Sequence, residues 1–437
     1  MTRMGGIWQN WGRSASARPQ RVEFPRTVGA VQRAVTAARA GGLTVKAVGA
    51  GHSFSPIAVT DGVLLDLCDL SGLVRVDPDR GQATVLAGTR LHDLTRLLAP
   101  HGLAMENLGD IDRQSISGAI STGTHGTGLR FGGVAAQVEG VTLVTADGGL
   151  LRVDRDENAE LLPAVVVGLG ALGIVVEVTL RCVPAFVLHA VERPEPLAAA
   201  LDSLPTRVEE TDHFEFYWFP HTDRAMTKTN TRLPESAPRH PLSPVGRWLD
   251  DTLVGTYVHR AVCDVGSAIP STAPTINRAA VRLWGDREFT DLSSNVFATA
   301  RGVRFREMEY ALPVERTREA FDRVRALIDE NGWRVTFPIE VRFAAADDLW
   351  LSTAHGRVSG YIAVHRYWRE DPTEYFTAVE EIMLAHGGRP HWGKMHTLDA
   401  ATLHSRYERF DDFVALRDRL DPSRLFRNPY LDRVLGG

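Results

Sequence analysis

Between residues 27 and 40, apolar side chains recur at helical spacing (Val28, Val31, Val35, Ala38). Gly41-Gly42 closes the run, so the pattern predicts a helix that stops there. Residues 43–48 make a short apolar run of strand length, and 62–67 make another after the turn Thr60-Asp61-Gly62. Turn chemistry predicts two hairpins, 74–87 around Asp77-Pro78-Asp79-Arg80-Gly81 and 138–153 around Ala146-Asp147-Gly148-Gly149. Residues 91–100 read as a helix, and 173–183 as a strand that Pro184 ends. Helices and strands alternate here without the even rhythm of a doubly wound parallel sheet.

Beyond Pro184 the pattern changes. A helix is expected at 194–201. Residues 213–219 alternate aromatic side chains (Phe214, Phe216, Trp218), as a strand with one buried face does. Strands are expected at 305–310, 336–343 and 360–367, with a helix at 316–331. Residues 231–275 are rich in proline, serine and glycine and read as a long irregular insertion. A chain of 437 residues exceeds what one hydrophobic core usually covers, so two domains are expected.

Composition narrows the function classes. Hydrophobic residues are 44% and charged residues 24%, as in ordinary globular chains. The net charge of −5, with no long lysine or arginine run, provides no basic surplus for nucleic acid. Cys68, Cys182 and Cys263 are too widely spaced for a disulfide framework or a metal site, so no metal and a cytoplasmic location are expected. Residues 1–10 lack a basic stretch followed by an apolar run, so no signal peptide is expected. The apolar stretch 161–176 is broken by Gly168, Gly170 and Gly173, so no transmembrane segment is expected.

Two loops carry candidate chemistry. The first is Gly49-Ala50-Gly51-His52-Ser53, at the end of a strand. Glycines there permit positive φ and let backbone N–H groups approach an anion. It lacks the third glycine and the following helix of a dinucleotide fingerprint, and alone it fits an ordinary strand-to-turn loop better than a ligand loop. The second runs from Ser115 to Gly128, fourteen positions dominated by small, glycine-rich and hydroxyl-bearing residues. Such a surface can hold a pyrophosphate through hydroxyls and N–H groups without a lysine. Two such stretches, each with a histidine, point to a dinucleotide cofactor.

Together these segments resemble the FAD-binding domain of the vanillyl-alcohol oxidase superfamily, and within it the aldonolactone oxidoreductases, with the alditol oxidases as sister group. The resemblance spans nearly the whole chain. It implies an α+β fold of two domains, a PCMH/VAO-type FAD-binding domain and a substrate (cap) domain with an antiparallel sheet. Residues 1–184 would form the first and 185–391 the second, with 392–437 returning to the FAD domain. It implies FAD held covalently, 8α-histidyl, through His52, which raises the flavin potential. Gly49, Ala50, Gly51 and Ser53 belong to the same loop. Ser115, Gly118, Ser121, Thr122, His125 and Gly126 fall where the family grips flavin and pyrophosphate, and Ile174 falls beside the adenine end.

Pro338-Ile339-Glu340-Val341-Arg342 puts an acid and a base two positions apart on a strand, hence on one face. Alone that is a surface ion pair; the apolar neighbours Phe337, Ile339, Val341 and Phe343 indicate partial burial, where such a pair needs a reason. The resemblance makes Glu340 and Arg342 face flavin and substrate. In Arg389-Pro390-His391-Trp392-Gly393-Lys394 it places Lys394 beside the flavin N1–C2 carbonyl region, where a cation stabilises the reduced anion. It makes His365 a substrate-side histidine and a candidate proton acceptor.

The implied reaction oxidises a small sugar lactone at its C2 hydroxyl by hydride transfer to flavin N5, giving an ascorbate-like product. The runner-up substrate is a linear polyol. Gly109, beside Asp110, falls near the flavin C4a region. Some relatives carry alanine there to block oxygen, so glycine leaves room for oxygen as acceptor, alongside an acceptor protein, quinone or dye. Asp110 stands where alditol oxidases tend to have a serine, which favours the lactone.

Overall fold

The computed structural model describes residues 2–4, 6–243, 259–283, 285–299 and 302–437. The helix Val28–Ala40 begins at Thr27, whose hydroxyl accepts the Ala30 N–H at 3.2 Å, and ends as the sequence predicts at Gly41-Gly42, with Gly42 at φ +65°. It connects two strands of a four-stranded sheet in which Arg21–Glu23 and Val45–Val48 both pair in parallel with Val63–Asp66. The two expected hairpins form, and with Ile174–Arg181 they make a five-stranded antiparallel sheet.

The second half is built on an eight-stranded antiparallel sheet. Its order is Arg287–Leu292, Phe186–Pro196, Arg224–Pro234, His213–Trp218, Ile339–Ala344, Ser359–Tyr367, Phe305–Pro313 and Arg389–Pro390. One face packs its apolar residues, among them Phe216, Val341, Ile362 and Met308, in the core with the helix Thr317–Glu330. Phe216 and Trp218 both meet Phe321 edge-on. The chain is therefore α+β, with the antiparallel sheet expected of the second half.

Three expectations are corrected here. The helix placed at 194–201 starts at Leu197, because Phe186–Pro196 continues as a strand. Past Glu192 that strand pairs on one side only, so Pro194 and Pro196 sit on an edge where a missing N–H is tolerated. His213–Trp218 is covered on both faces, with only Tyr217 half-buried. Residues 231–275 are not irregular throughout. Residues 231–234 finish a strand, and 259–268 form a helix that buries Cys263 and Gly266, a stripe too small to register as apolar periodicity. Residues 244–258 of this span lie outside the described residues.

The C-terminal segment inserts against the four-stranded sheet. Val45 donates to the Leu425 carbonyl at 2.8 Å, and the Asn428 amide donates to Ile57 and Val59 carbonyls at 3.0 and 2.9 Å. Among the described residues no helix is long and apolar enough to cross a membrane.

Candidate active site

The strand Val45–Val48 runs into Gly49, where any Cβ would stand 1.9 Å from Ser115 Oγ. Only glycine lets the two loops touch. Gly51 then turns at φ +66°. A cleft of about 840 Å³ opens between them, lined by Gly49 to Ser53 on one side, by Ser115, Gly118, Ser121 and Thr122 on the other, and by Gly173, Ile174 and Val175 at its end. Among the described residues, the N–H groups of Ala50, Gly51, His52 and Ser53 have no protein acceptor. Four consecutive donors on a glycine-bearing loop are the chemistry a pyrophosphate requires. The cleft also holds Lys46, 2% exposed, which donates to the Gly170 and Phe426 carbonyls at 3.0 and 3.1 Å. Burial pushes this lysine down to about 7 against the opposing pull of Asp421.

A second cleft, about 580 Å³, joins the first through His52, Ser53, Gln114 and Thr122. Gly109, Asp110, His125, Arg342 and Lys394 all line it. Burial, with the Arg90, Lys394 and Arg113 charges, pushes the His52 imidazole down to about 4, so it is neutral at physiological pH. Gly126 lines neither cleft; it packs so tightly that a Cβ would meet the Leu108 carbonyl at 2.2 Å.

Sheet register builds the far wall. Tyr217 pairs with Glu340, Glu340 with Ala363, and Ala363 with Glu309, so these side chains share one face. Arg342 follows Glu340 by two and joins them, 7% exposed. Its Nε donates to Glu215 Oε2 at 2.8 Å, its Nη2 lies 3.3 Å from Asp110 Oδ2, and it pairs with Glu340. Burial works against the charge, but Asp110, Glu340 and Glu215 outweigh it and hold the guanidinium above its ordinary range. Glu215 is also 3.7 Å from Lys228 Nζ; despite its burial, Arg342 and then Lys228 hold it ionised below the usual carboxylate range.

Lys394 reaches the cleft because the loop before it is fixed at several points. The Gly393 carbonyl accepts from Phe54 N–H at 2.6 Å, the Trp392 carbonyl accepts from Ser55 Oγ, and the Trp392 indole donates to Leu351. Lys394 Nζ meets Glu307 Oε2 at 2.5 Å. Burial opposes its charge, yet Glu307 and Glu309 raise its pKa. Burial works the other way on Glu307, but Lys394 and then His365 bring it down to about 2. His365 lines neither cleft: its Nδ1 is 2.9 Å from the Pro338 carbonyl and its Nε2 is 3.5 Å from Glu307.

His125, Glu309 and His391 present ligand atoms within 4.8 Å of one another, the residue types of a metal centre. The hydrogen bond of His391 points elsewhere. His391 Nδ1 accepts the Gly393 N–H, which leaves the ring proton on Nε2, a donor rather than a ligand atom. His125 stacks on Tyr361 and lies 3.3 Å from Glu309. Burial, and beyond it the charge of Glu309 against those of Lys394 and His125, leaves His391 at about 3.

Sequence reasoning missed Lys46, Glu215, Glu307 and Glu309. One signal was present: Glu307-Met308-Glu309 repeats the charged–apolar–charged alternation of Glu340-Val341-Arg342.

The donor loop, the glycine contacts and the two connected clefts fit an FAD. Comparison with known proteins agrees. A family model described as D-arabinono-1,4-lactone oxidase matches residues 178–434, and one described as an FAD binding domain matches residues 19–154. The L-gulono-1,4-lactone dehydrogenase of Mycobacterium tuberculosis is 43% identical, covering 99% of this chain and 100% of that one. The L-gulonolactone oxidase of Bos taurus is 35% identical over 98% of each, and the alditol oxidase of a Streptomyces species is 33% identical over 89% and 90%. Among solved structures, cholesterol oxidase from B. sterolicum superposes with a TM-score of 0.83, covering 100% of this chain and 97% of that one. At 18% identity that likeness carries the fold alone.

Proposed function

The chain belongs to the D-arabinono-1,4-lactone oxidase family, and on that premise we propose that it oxidises the C2 hydroxyl of an aldono-1,4-lactone such as L-gulono- or D-arabinono-1,4-lactone. It is an FAD-dependent oxidoreductase acting on a CH–OH group. Bound FAD supplies the hydride acceptor, N5, and the 2-keto lactone that leaves tautomerises to an enediol, an ascorbate-like product.

In this reading residues 1–184 and 392–437 hold the cofactor, and 185–391 supply the substrate wall. Gly49 to Ser53 and Ser115 to Thr122 grip the pyrophosphate. His52 stands where the two clefts meet, as a neutral imidazole, the nucleophilic form that an 8α-histidyl bond requires. Lys394 supplies positive charge at the reacting end. The observation that carries the reading is Arg342, a buried guanidinium lining that cleft within a ring of Asp110, Glu215 and Glu340. Its fork stabilises the oxygen of the reacting hydroxyl as negative charge develops, and Asp110 accepts hydrogen bonds from the lactone hydroxyls. Glu340 and Glu215 orient the fork. His365 positions Glu307, and through it Lys394.

The test is bleaching of the flavin absorption under nitrogen by L-gulono-, L-galactono- and D-arabinono-1,4-lactone and by xylitol. A lactone should bleach fastest, and Arg342→Ala and Glu340→Gln should slow bleaching while retaining flavin. Fastest bleaching by xylitol, or wild-type rates in both variants, would overturn the proposal.

A further inference from the structure

Trp11 forms the outer wall of the reacting-end cleft. Its indole lies over His52, ring centroids 5.6 Å apart and 27° from coplanar. Outside it the surface turns basic. The Arg304 guanidinium is half-buried between two indoles, 6.0 Å from the Trp11 ring and 5.6 Å from the Trp368 ring, and its Nε donates to the Trp11 carbonyl at 2.5 Å. Arg13 lies 4.9 Å over the same Trp368 ring and Arg369 lies 5.1 Å over it. Burial, then the charges of Arg13 and Arg260, lower the pKa of Arg304. Among the described residues only Arg369 of these four arginines has a carboxylate partner, Asp264 at 2.9 Å.

Arg13 is exposed and sits at φ +52°, where glycine would be less strained. Its turn is held by Asn10, whose side-chain nitrogen donates to Ser14 Oγ at 2.8 Å and to the Ser53 carbonyl at 2.9 Å. The strained arginine is thereby fixed to the loop that carries His52. The whole chain has a formal charge of −5, so these arginines, with Asp264 their one carboxylate partner among the described residues, are a local excess of positive charge. A lactone is neutral and gains nothing from it. The second reactant, the oxidant, is the one whose charge the rim can select.

We propose that Arg13, Arg304 and Arg369 dock a small anionic one-electron oxidant, which takes electrons from the reduced enzyme across the Trp11–His52 edge. The inference rests on the flavin reading of the cleft. The hydride brings in two electrons and a proton. Each of two oxidant anions takes one electron in turn and becomes one unit more negative, the proton passes to water, and the oxidised cofactor is restored. The rim speeds encounter with anions and slows it with cations, and salt weakens both effects.

The experiment compares wild type with the double variant Arg13→Gln/Arg369→Gln. Steady-state turnover is measured with ferricyanide, a trianion, and with hexaammineruthenium(III), a trication, at low and high salt. Binding of hexacyanocobaltate(III), a redox-inert isostere of ferricyanide, is measured by calorimetry on the substrate-free protein. The double variant should lose roughly tenfold in kcat/KM for ferricyanide at low salt, and little at high salt. It should keep or gain rate with the ruthenium complex, bind hexacyanocobaltate(III) more weakly, and bleach with lactone at the wild-type rate. Unchanged hexacyanocobaltate(III) binding, equal losses with both oxidants, or slower bleaching by lactone would overturn the proposal. The calorimetry needs no turnover, so failure of the docking site shows in the titration, and failure of the flavin reading shows in the bleaching assay.

Discussion

Arg342 Nη2 lies 3.3 Å from Asp110 Oδ2, although the two residues stand 232 positions apart. Asp110 comes from the loop that precedes the glycine-rich stretch, and Arg342 from the middle of the large sheet. The contact joins the wall that would hold the cofactor to the wall that would hold the substrate. A buried guanidinium among three carboxylates is stable only while the fork meets each of them.

Replacing Arg342 with alanine should therefore cost about 3–5 kcal/mol, because Asp110, Glu215 and Glu340 lose their shared cation. Urea denaturation measures the loss. Arg342→Lys should recover part of the stability but not the rate of anaerobic bleaching, since an ammonium lacks the planar fork. A lysine variant with full activity would remove the fork from the argument.

The Glu307–Lys394 contact makes stability depend on pH at both ends. Glu307 is held at about 2, below its unfolded value near 4.3. Its contribution is whole above roughly pH 4.3 and drains as the pH falls towards 2. Lys394 is raised, so its contribution is whole below roughly pH 10.4 and is lost above its folded value. Glu307→Gln should lower Tm at neutral pH and give a shallower fall on the acid side. Thermal melts from pH 2 to 11 measure both, and an unchanged acid limb would contradict the ion pair.

His52→Ala should leave the cleft formed while abolishing retention of yellow colour on acid-precipitated protein. In the wild type, attachment of FAD to apoprotein should proceed steadily from pH 7 downwards and fail near the imidazole's value of about 4. Colour retained in the alanine variant would place the tether at another residue.

Gly109→Ala would put a methyl group 3.0 Å from the His125 carbonyl and 3.6 Å from Thr124 Cγ2, inside the reacting-end cleft. Reoxidation by oxygen should slow by roughly tenfold, about 1.4 kcal/mol of barrier, with bleaching by lactone little changed. Stopped-flow mixing of reduced protein with oxygen reads the first step, and an unaltered rate would take Gly109 out of oxygen access.

Much of this was written locally. Period, glycine placement and turn chemistry determine the helix Val28–Ala40, both hairpins and the turn at Gly51, because each depends on residues a few positions apart. Strand periodicity was enough to put Glu340 and Arg342 on one face, and small, hydroxyl-bearing residues marked the two loops that line the long cleft. What the chain could not disclose one segment at a time was register and burial. Glu215, Glu307 and Glu309 join the wall only because strands distant in sequence pair in a particular alignment, and a slip of one residue would turn them to the other face. Lys46 is buried where the tail at Phe426 and the distant Gly170 both accept from its ammonium, and His365 stands behind Glu307 rather than in the cleft because Phe305–Pro313 lies beside its strand. Those positions follow from long-range pairing, which local spacing does not encode.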